Sequence, residues 1–258
     1  MQVAREHTQH AVSGVAGSDT SSRFDPRRLI AGLSTTERVL YGLGIATALA
    51  MAVTIYQVFL VAPVDVTGEA FRLFYFHVPI ASLCFVAFFL VFVASILYLW
   101  RRDERWDWFA RAAAETGTIF ATLTLITGSF WGRTAWGTWW TWDPRLTTTL
   151  ILWFIYAGYL MLRSYTGRTA SGARAAAVLG IIGFVDVPID YLSVTWWRTI
   201  HPPTNFVESA LPTTAGLPLM LSFATFTLLF AFLVILAYQL QRVQAGAERL
   251  RGRVEAEA

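Results

Sequence analysis

Six stretches of this chain stay apolar over roughly the 20 residues that a helix needs to cross the hydrocarbon core of a bilayer. They lie at about 39–62, 75–99, 113–130, 147–165, 175–197 and 216–240. A bilayer core offers no water to backbone N–H and C=O groups, so a spanning segment must be a helix or part of a closed barrel. Barrel strands alternate apolar and polar residues, and these runs do not. The expected fold is an all-α membrane protein, a six-helix transmembrane bundle over residues 39–240 with short periplasmic loops, one of them rich in tryptophan. Composition agrees: 55% of residues are hydrophobic and 14% charged, against about half and about a quarter in soluble domains. The connections between spans are too short for a separate soluble domain.

Residues 1–38 are polar and lack a periodic apolar face. They are expected to form a disordered cytoplasmic tail rather than a signal peptide, whose apolar stretch would begin earlier. Residues 241–258 are expected to form the cytoplasmic C-terminal tail. His7 and His10 fall in the first tail, and no shared metal role is expected of them.

All twenty basic residues are arginine, and their distribution sets the orientation. Arg5, Arg23, Arg27, Arg28 and Arg38 precede the first span, and Arg101, Arg102, Arg105 and Arg111 join the second to the third. Arg163, Arg168 and Arg174 join the fourth to the fifth, and Arg242, Arg249, Arg251 and Arg253 follow the last. The other side holds only Arg72, Arg133, Arg145 and Arg198. Positive charge collects on the cytoplasmic side, so both termini are expected there, and the loops at about 63–74, 131–146 and 198–215 face outward. The net charge of +3 is spread over several loops and gives no reason to expect nucleic acid. There is no C-x-x-C-H haem-attachment motif and no phosphate-binding P-loop. Cys84, the one cysteine, sits in an apolar run and reads as a small packing residue.

The second outward loop runs Trp131-Gly132-Arg133-Thr134-Ala135-Trp136-Gly137-Thr138-Trp139-Trp140-Thr141-Trp142-Asp143-Pro144-Arg145. Five of the eleven tryptophans lie between 131 and 142. An interfacial aromatic belt accounts for Trp100, Trp106 and Trp108 on the other side, but a belt scatters its rings over several helix ends. Clustered, they build an apolar π-faced platform suited to a large flat ligand. His77 near the start of the second span and His201 after the fifth are level with this loop. Each alone reads as an interfacial histidine; together they are two imidazoles bracketing an aromatic surface, and imidazole is a common axial ligand of haem iron. The outer arginines suit propionate carboxylates, or serve as solvated or headgroup charges.

Trp136-Gly137-Thr138-Trp139-Trp140-Thr141-Trp142-Asp143-Pro144-Arg145-Leu146-Thr147 resembles the tryptophan-rich WWD signature of haem-handling proteins of cytochrome c maturation. With Phe76-His77-Val78-Pro79 and Ser193 to His201, the chain is similar over about residues 37–240 to one branch, the CcmC (haem exporter protein C) family. The resemblance implies a transiently bound b-type haem at the outer face, with His77 and His201 as axial metal ligands. Trp136, Gly137, Trp139, Trp140, Trp142 and Asp143 would lie against the porphyrin, and Arg145 joins the expected cofactor-binding set. It further implies presentation of haem to a periplasmic CcmE-like haem chaperone for covalent attachment, and association with CcmA- and CcmB-like ABC transporter subunits and a small CcmD-like protein. The chain departs from the pattern at Pro202, where the family usually has glutamine after the second histidine.

Asp186 and Asp190 share a helical face with Pro188 between them. A carboxylate within a span is a functional candidate, or it pairs near the interface with Arg198 or Arg133. Glu115 reads as interfacial. Two rivals stand beside a haem-presenting subunit. A b-type electron-transfer cytochrome would place its histidines inside the bundle, and a haem or solute permease would place its site near the midplane on broken helices.

Overall fold

The computed structural model describes residues 34–64, 67–202 and 213–257. The expected tail, with His7 and His10, lies outside these residues up to position 33. The chain divides into a short N-terminal unit, Met1–Val39, and a body, Leu40–Ala258. Helix α1 (Thr35–Tyr56) opens on a reciprocal cap: the Glu37 N–H donates to Ser34 Oγ at 3.3 Å, and the Ser34 N–H donates to the Glu37 carboxylate at 2.8 Å. It closes in a widened π turn, Gln57–Val61, where the Ala62 N–H reaches the Gln57 carbonyl at 2.7 Å. The Arg72 guanidinium donates to the Val58 and Ala62 carbonyls there, acceptors that a helix end otherwise leaves without partners.

Helix α2 (Arg72–Arg101) and helix α3 (Glu104–Trp136) form a tight antiparallel hairpin. Arg102 closes α2 in the left-handed conformation (φ 57°), its N–H bonded to the Tyr98 carbonyl, and Asp103 caps α3 by accepting the Arg105 N–H at 3.0 Å. The two helices pack closely because Gly117 lacks a side chain; a Cβ there would come within 2.8 Å of Ala87 Cβ and the Phe88 ring. Helix α4 (Pro144–Thr166) starts at the Asp143 cap, with Pro144 in its first turn. Helices α5 (Ala170–Phe184) and α6 (Asp186–Trp196) make one further stretch. It breaks at Val185 because Pro188 has no N–H to offer the Phe184 carbonyl four residues back. Helix α7 (Gly216–Glu257) runs 42 residues. It continues through the segment expected as a tail, which is rich in helix-forming Ala, Glu, Gln, Leu and Arg and carries the Arg251–Glu255 pair.

The protein is a multi-pass, all-helical membrane protein among its described residues. Five stretches are long and apolar enough to cross a membrane: Thr35–Val61, Glu69–Arg101, Pro144–Thr166, Ala170–Trp196 and Gly216–Glu257. The expected third span lies in α3, which is long enough but less apolar. The packing supplies the reason: α3 touches α2, α4 and α7, and its Ala110, Ala112, Ala113, Ala114 and Gly117 are buried against them. A helix enclosed by other helices need not be lipid-soluble all round.

Two expectations about charges change. Arg163, counted among the loop cations, is buried to 1% exposure in α4, where it pairs with Asp107 at 2.7 Å. Glu115, expected merely at the interface, accepts from Arg111 at 3.0 Å and from the buried Gln241 of α7 at 3.1 Å. Both carboxylates therefore join helices.

Candidate functional site

The second turn of α2, the middle and end of α3, the start of α4, α6 and the loop after it enclose a cavity of about 460 Å³. That lies within the range of cofactor sites, roughly 300–1,000 Å³. His77 and His201 line it, with Trp131, Trp136, Trp140, Phe74, Phe85 and Arg145. Its remaining lining is mostly small or aliphatic, including Ala81, Leu125, Gly128 and Val194.

His77 is buried one turn inside α2. Its Nδ1 lies 2.8 Å from Thr127 Oγ1. That hydroxyl gives its own proton to the Leu123 carbonyl at 2.7 Å, so it can only accept from the ring. The hydrogen-bond network therefore assigns the proton of neutral His77 to Nδ1 and leaves the Nε2 lone pair free. Gly128 makes room for the ring: a Cβ there would sit 3.1 Å from His77 Cε1. His201 reaches the same state by another route. Its Nδ1 lies 3.1 Å from the Pro202 carbonyl, an acceptor only, so Nε2 again is unprotonated. Burial, with the Arg145 guanidinium facing it, pulls the His201 imidazole down to about 4 from its ordinary 6.5, so it is neutral at physiological pH. A histidine that binds a metal through one nitrogen usually donates the other N–H to such an acceptor.

A chain of rings links the two imidazoles. Centroids are 5.9 Å apart for His77–Trp131, 6.3 Å for Trp131–Trp136 and 6.2 Å for Trp136–His201. Trp131 is the member that sequence reasoning left out of the binding set. It is counted in the outward loop, but the resemblance that supplies the set begins at Trp136, and the structure places Trp131 in α3.

The expected platform divides. Trp136 and Trp140 line the cavity, whereas Trp139 and Trp142 do not; they are 54% and 76% exposed. Trp139 packs edge-on against Phe130, and Trp142 against Trp140. Gly137 likewise stands outside the lining. It ends α3 with φ 76°, a left-handed conformation that glycine adopts without a Cβ clash, and its carbonyl accepts from Arg133.

Asp143 is buried and acts as a fastener. One carboxylate oxygen accepts the Arg145 N–H at 3.0 Å, capping α4, and the Thr199 hydroxyl at 2.8 Å; the other accepts the Ile200 N–H at 2.9 Å. The Thr199 hydroxyl oxygen in turn accepts the His201 N–H at 3.0 Å. Asp143 thus ties the start of α4 to the loop bearing His201. Arg145 donates to the backbone carbonyls of Asp190 at 2.7 Å and Tyr191 at 3.1 Å, and lies 3.6 Å from the Asp190 carboxylate. The expected partner of Asp190, Arg198 or Arg133, is therefore corrected to Arg145. Asp190 is fully buried and also accepts from Thr148 at 2.7 Å and Thr149 at 3.0 Å. Asp186 has one buried carboxylate oxygen without a hydrogen-bond partner. Cys84 is buried in the cavity wall and free.

A family model described as Heme exporter protein C matches residues 26–252. The chain belongs to the heme exporter protein C family. It is 40% identical over 209 residues to Heme exporter protein C of Bradyrhizobium diazoefficiens, covering 80% of this chain and 79% of that protein. It is 35% identical over 196 residues to Heme exporter protein C of Escherichia coli K12, covering 75% and 80%. A putative cytochrome c biosynthesis ccmC-like mitochondrial protein of Marchantia polymorpha is 36% identical over 188 residues, covering 72% and 80%. The matched span of the CcmC family includes all of the cavity lining, so both histidines and all three lining tryptophans fall within it.

Proposed function

We propose that the cavity binds haem, with His77 and His201 as axial ligands through Nε2, and that the protein presents it to a periplasmic haem chaperone of the CcmE type. The observation that carries the reading is the pair of imidazoles on one aromatic-walled cavity, each with Nδ1–H spent on a neutral acceptor and Nε2 left free. The residues fit the group. Trp131, Trp136 and Trp140 offer ring surface to a porphyrin, and Arg145 offers a guanidinium to a propionate. The names of the relatives, in heme export and cytochrome c biosynthesis, point the same way.

Haem in this reading is cargo, b-type and transient, bound for covalent attachment to the chaperone during c-type cytochrome biogenesis. Trp139 and Trp142, exposed beside the cavity, offer the surface on which the receiving protein docks. CcmA- and CcmB-like transporter subunits and a CcmD-like small protein are the further partners. The site faces the periplasm across an inner membrane, with both termini in the cytoplasm.

The permease reading finds a broken helix at Val185 and a buried carboxylate at Asp190, but that carboxylate is engaged by Arg145, Thr148 and Thr149. The test is to purify the full chain with and without its chaperone and take oxidised and reduced absorption spectra. Wild-type protein should carry haem with a low-spin bis-imidazole spectrum. His77→Ala and His201→Ala should each lower retained haem and change that spectrum; an unchanged spectrum in the double variant would refute the assignment.

A further inference from the structure

At the end of α2 away from His77, a second cavity of about 580 Å³ opens where the α2–α3 turn, the α4–α5 connection and the distal part of α7 meet. Its walls carry four guanidiniums, Arg102, Arg168, Arg174 and Arg249, and three carboxylates, Glu104, Asp107 and Glu248. Every carboxylate is engaged: Glu104 with Arg249, Asp107 with Arg163 at 2.7 Å, and Glu248 with Arg168 at 3.1 Å. The guanidiniums of Arg102 and Arg174, both exposed residues, make no hydrogen bond or ion pair among the described residues, so the cavity keeps two positive charges without a carboxylate partner.

Arg102 brings a second, independent sign. It is the one non-glycine residue with a positive φ among the described residues (57°). At a left-handed helix end glycine is the easiest choice, because a Cβ there crowds the backbone. The chain instead spends that strain on a guanidinium at the cavity. Strained backbone is a pointer to function when it is observed rather than assumed. Tyr98 lies in the same wall, and the exposed Trp100 is the penultimate residue of α2; indole rings are enriched where helices meet lipid headgroups.

We infer that this cavity is a binding site for a phosphate-ester anion, held between Arg102 and Arg174. Two planar guanidiniums match phosphate oxygens in pairs, and basic pockets between spanning helices hold anionic headgroups. The anion joins the α2–α3 turn to the second turn of α5. Its source is either the headgroup of an anionic lipid or a phosphate from solution, and the two are separable by experiment.

Purified full chain in detergent is titrated with phosphatidylglycerol, phosphatidylcholine, inorganic phosphate or chloride at matched ionic strength, and its thermal unfolding midpoint is followed. Phosphatidylglycerol should raise the midpoint where phosphatidylcholine and chloride do not. Arg102→Gln with Arg174→Gln should abolish the rise, each guanidinium contributing about tenfold in affinity. A rise with inorganic phosphate that the same double variant abolishes assigns the site to a solution anion. If the double variant does not accumulate, Arg174→Gln alone is compared by native mass spectrometry, counting anionic lipids retained per protein. No rise with any phosphate compound, or an equal rise or equal lipid count in the variant, overturns the proposal. The haem spectrum, read in parallel, should not change in either variant.

Discussion

Thr127 shows how one hydroxyl can set the chemistry of a site without touching the ligand. Its proton is committed to the Leu123 carbonyl, so it holds His77 in the Nδ1–H state that leaves Nε2 available. Thr127→Val keeps the shape and removes the acceptor. It is expected to lower haem affinity roughly ten- to a hundredfold, while Thr127→Ser restores it; absorption spectra of both variants at equal membrane levels check this. Gly128→Ala should act on the same ring sterically, since its Cβ would lie 3.1 Å from His77 Cε1. His201 makes a separate prediction. Its pKa is depressed to about 4, so unfolded chains take up a proton below about 6.5 that the folded chain resists until about 4. Its contribution to stability is therefore complete above about 6.5 and declines as pH falls towards 4. Proton competition for Nε2 likewise begins only near 4. Haem retention, followed by absorption, should be flat from pH 7 to 5. Arg145→Gln removes a facing positive charge and should move the loss to higher pH.

At the scale of elements, the tryptophan run is two structures. Trp131 and Trp136 belong to α3, and Gly137 ends that helix. Trp139, Trp140 and Trp142 follow in the connection to α4, where only Trp140 turns inward. Replacing Trp136 or Trp140 with Phe should lower retained haem. Trp139→Phe and Trp142→Phe should leave haem in place but reduce covalent haem on the chaperone, scored by haem stain at matched protein levels. Equal effects of all four on retained haem would return the run to a single platform. Asp143 couples elements rather than ligands. Asp143→Ala loses the α4 cap, about 1 kcal/mol, and also the two bonds to Thr199 and Ile200. The variant should insert normally but load poorly, with spectral changes resembling those of His201→Ala. Thr199→Val, which removes one of those two bonds, should show a weaker form of the same defect.

For the molecule as a whole, the two ends differ in kind. One gathers rings and two imidazoles, and the other gathers arginines, several of them locked to carboxylates across helices. The buried Arg163–Asp107 pair lowers the number of arginines that a lipid headgroup can meet, yet the asymmetry survives its removal from the count. Reporter fusions at residues 105, 168 and 250 should therefore report cytoplasm, and a fusion at 138 should report periplasm. A periplasmic signal at 168 would reverse the orientation and with it the face on which the proposed haem site opens.

The spans and their order were legible in the chain itself, because each depends on local pattern, an apolar run of the right length; the break at Val185 within the fifth was not read there. Even α3, the least apolar of the helices, was recognisable by its run at 113–130. What local pattern could not reveal is which partner each group finds across 40 or more positions of sequence. Asp190 meets Arg145 rather than Arg198, Asp143 holds Thr199 and Ile200, and Thr127 holds His77. The inward turn of Trp140 and the outward turn of Trp142, two residues apart, are likewise tertiary outcomes. Length and hydropathy are properties of a segment, so the bilayer selects them directly. Hydrogen-bond partners and ring exposure depend on how the segments pack, and only the folded bundle decides them.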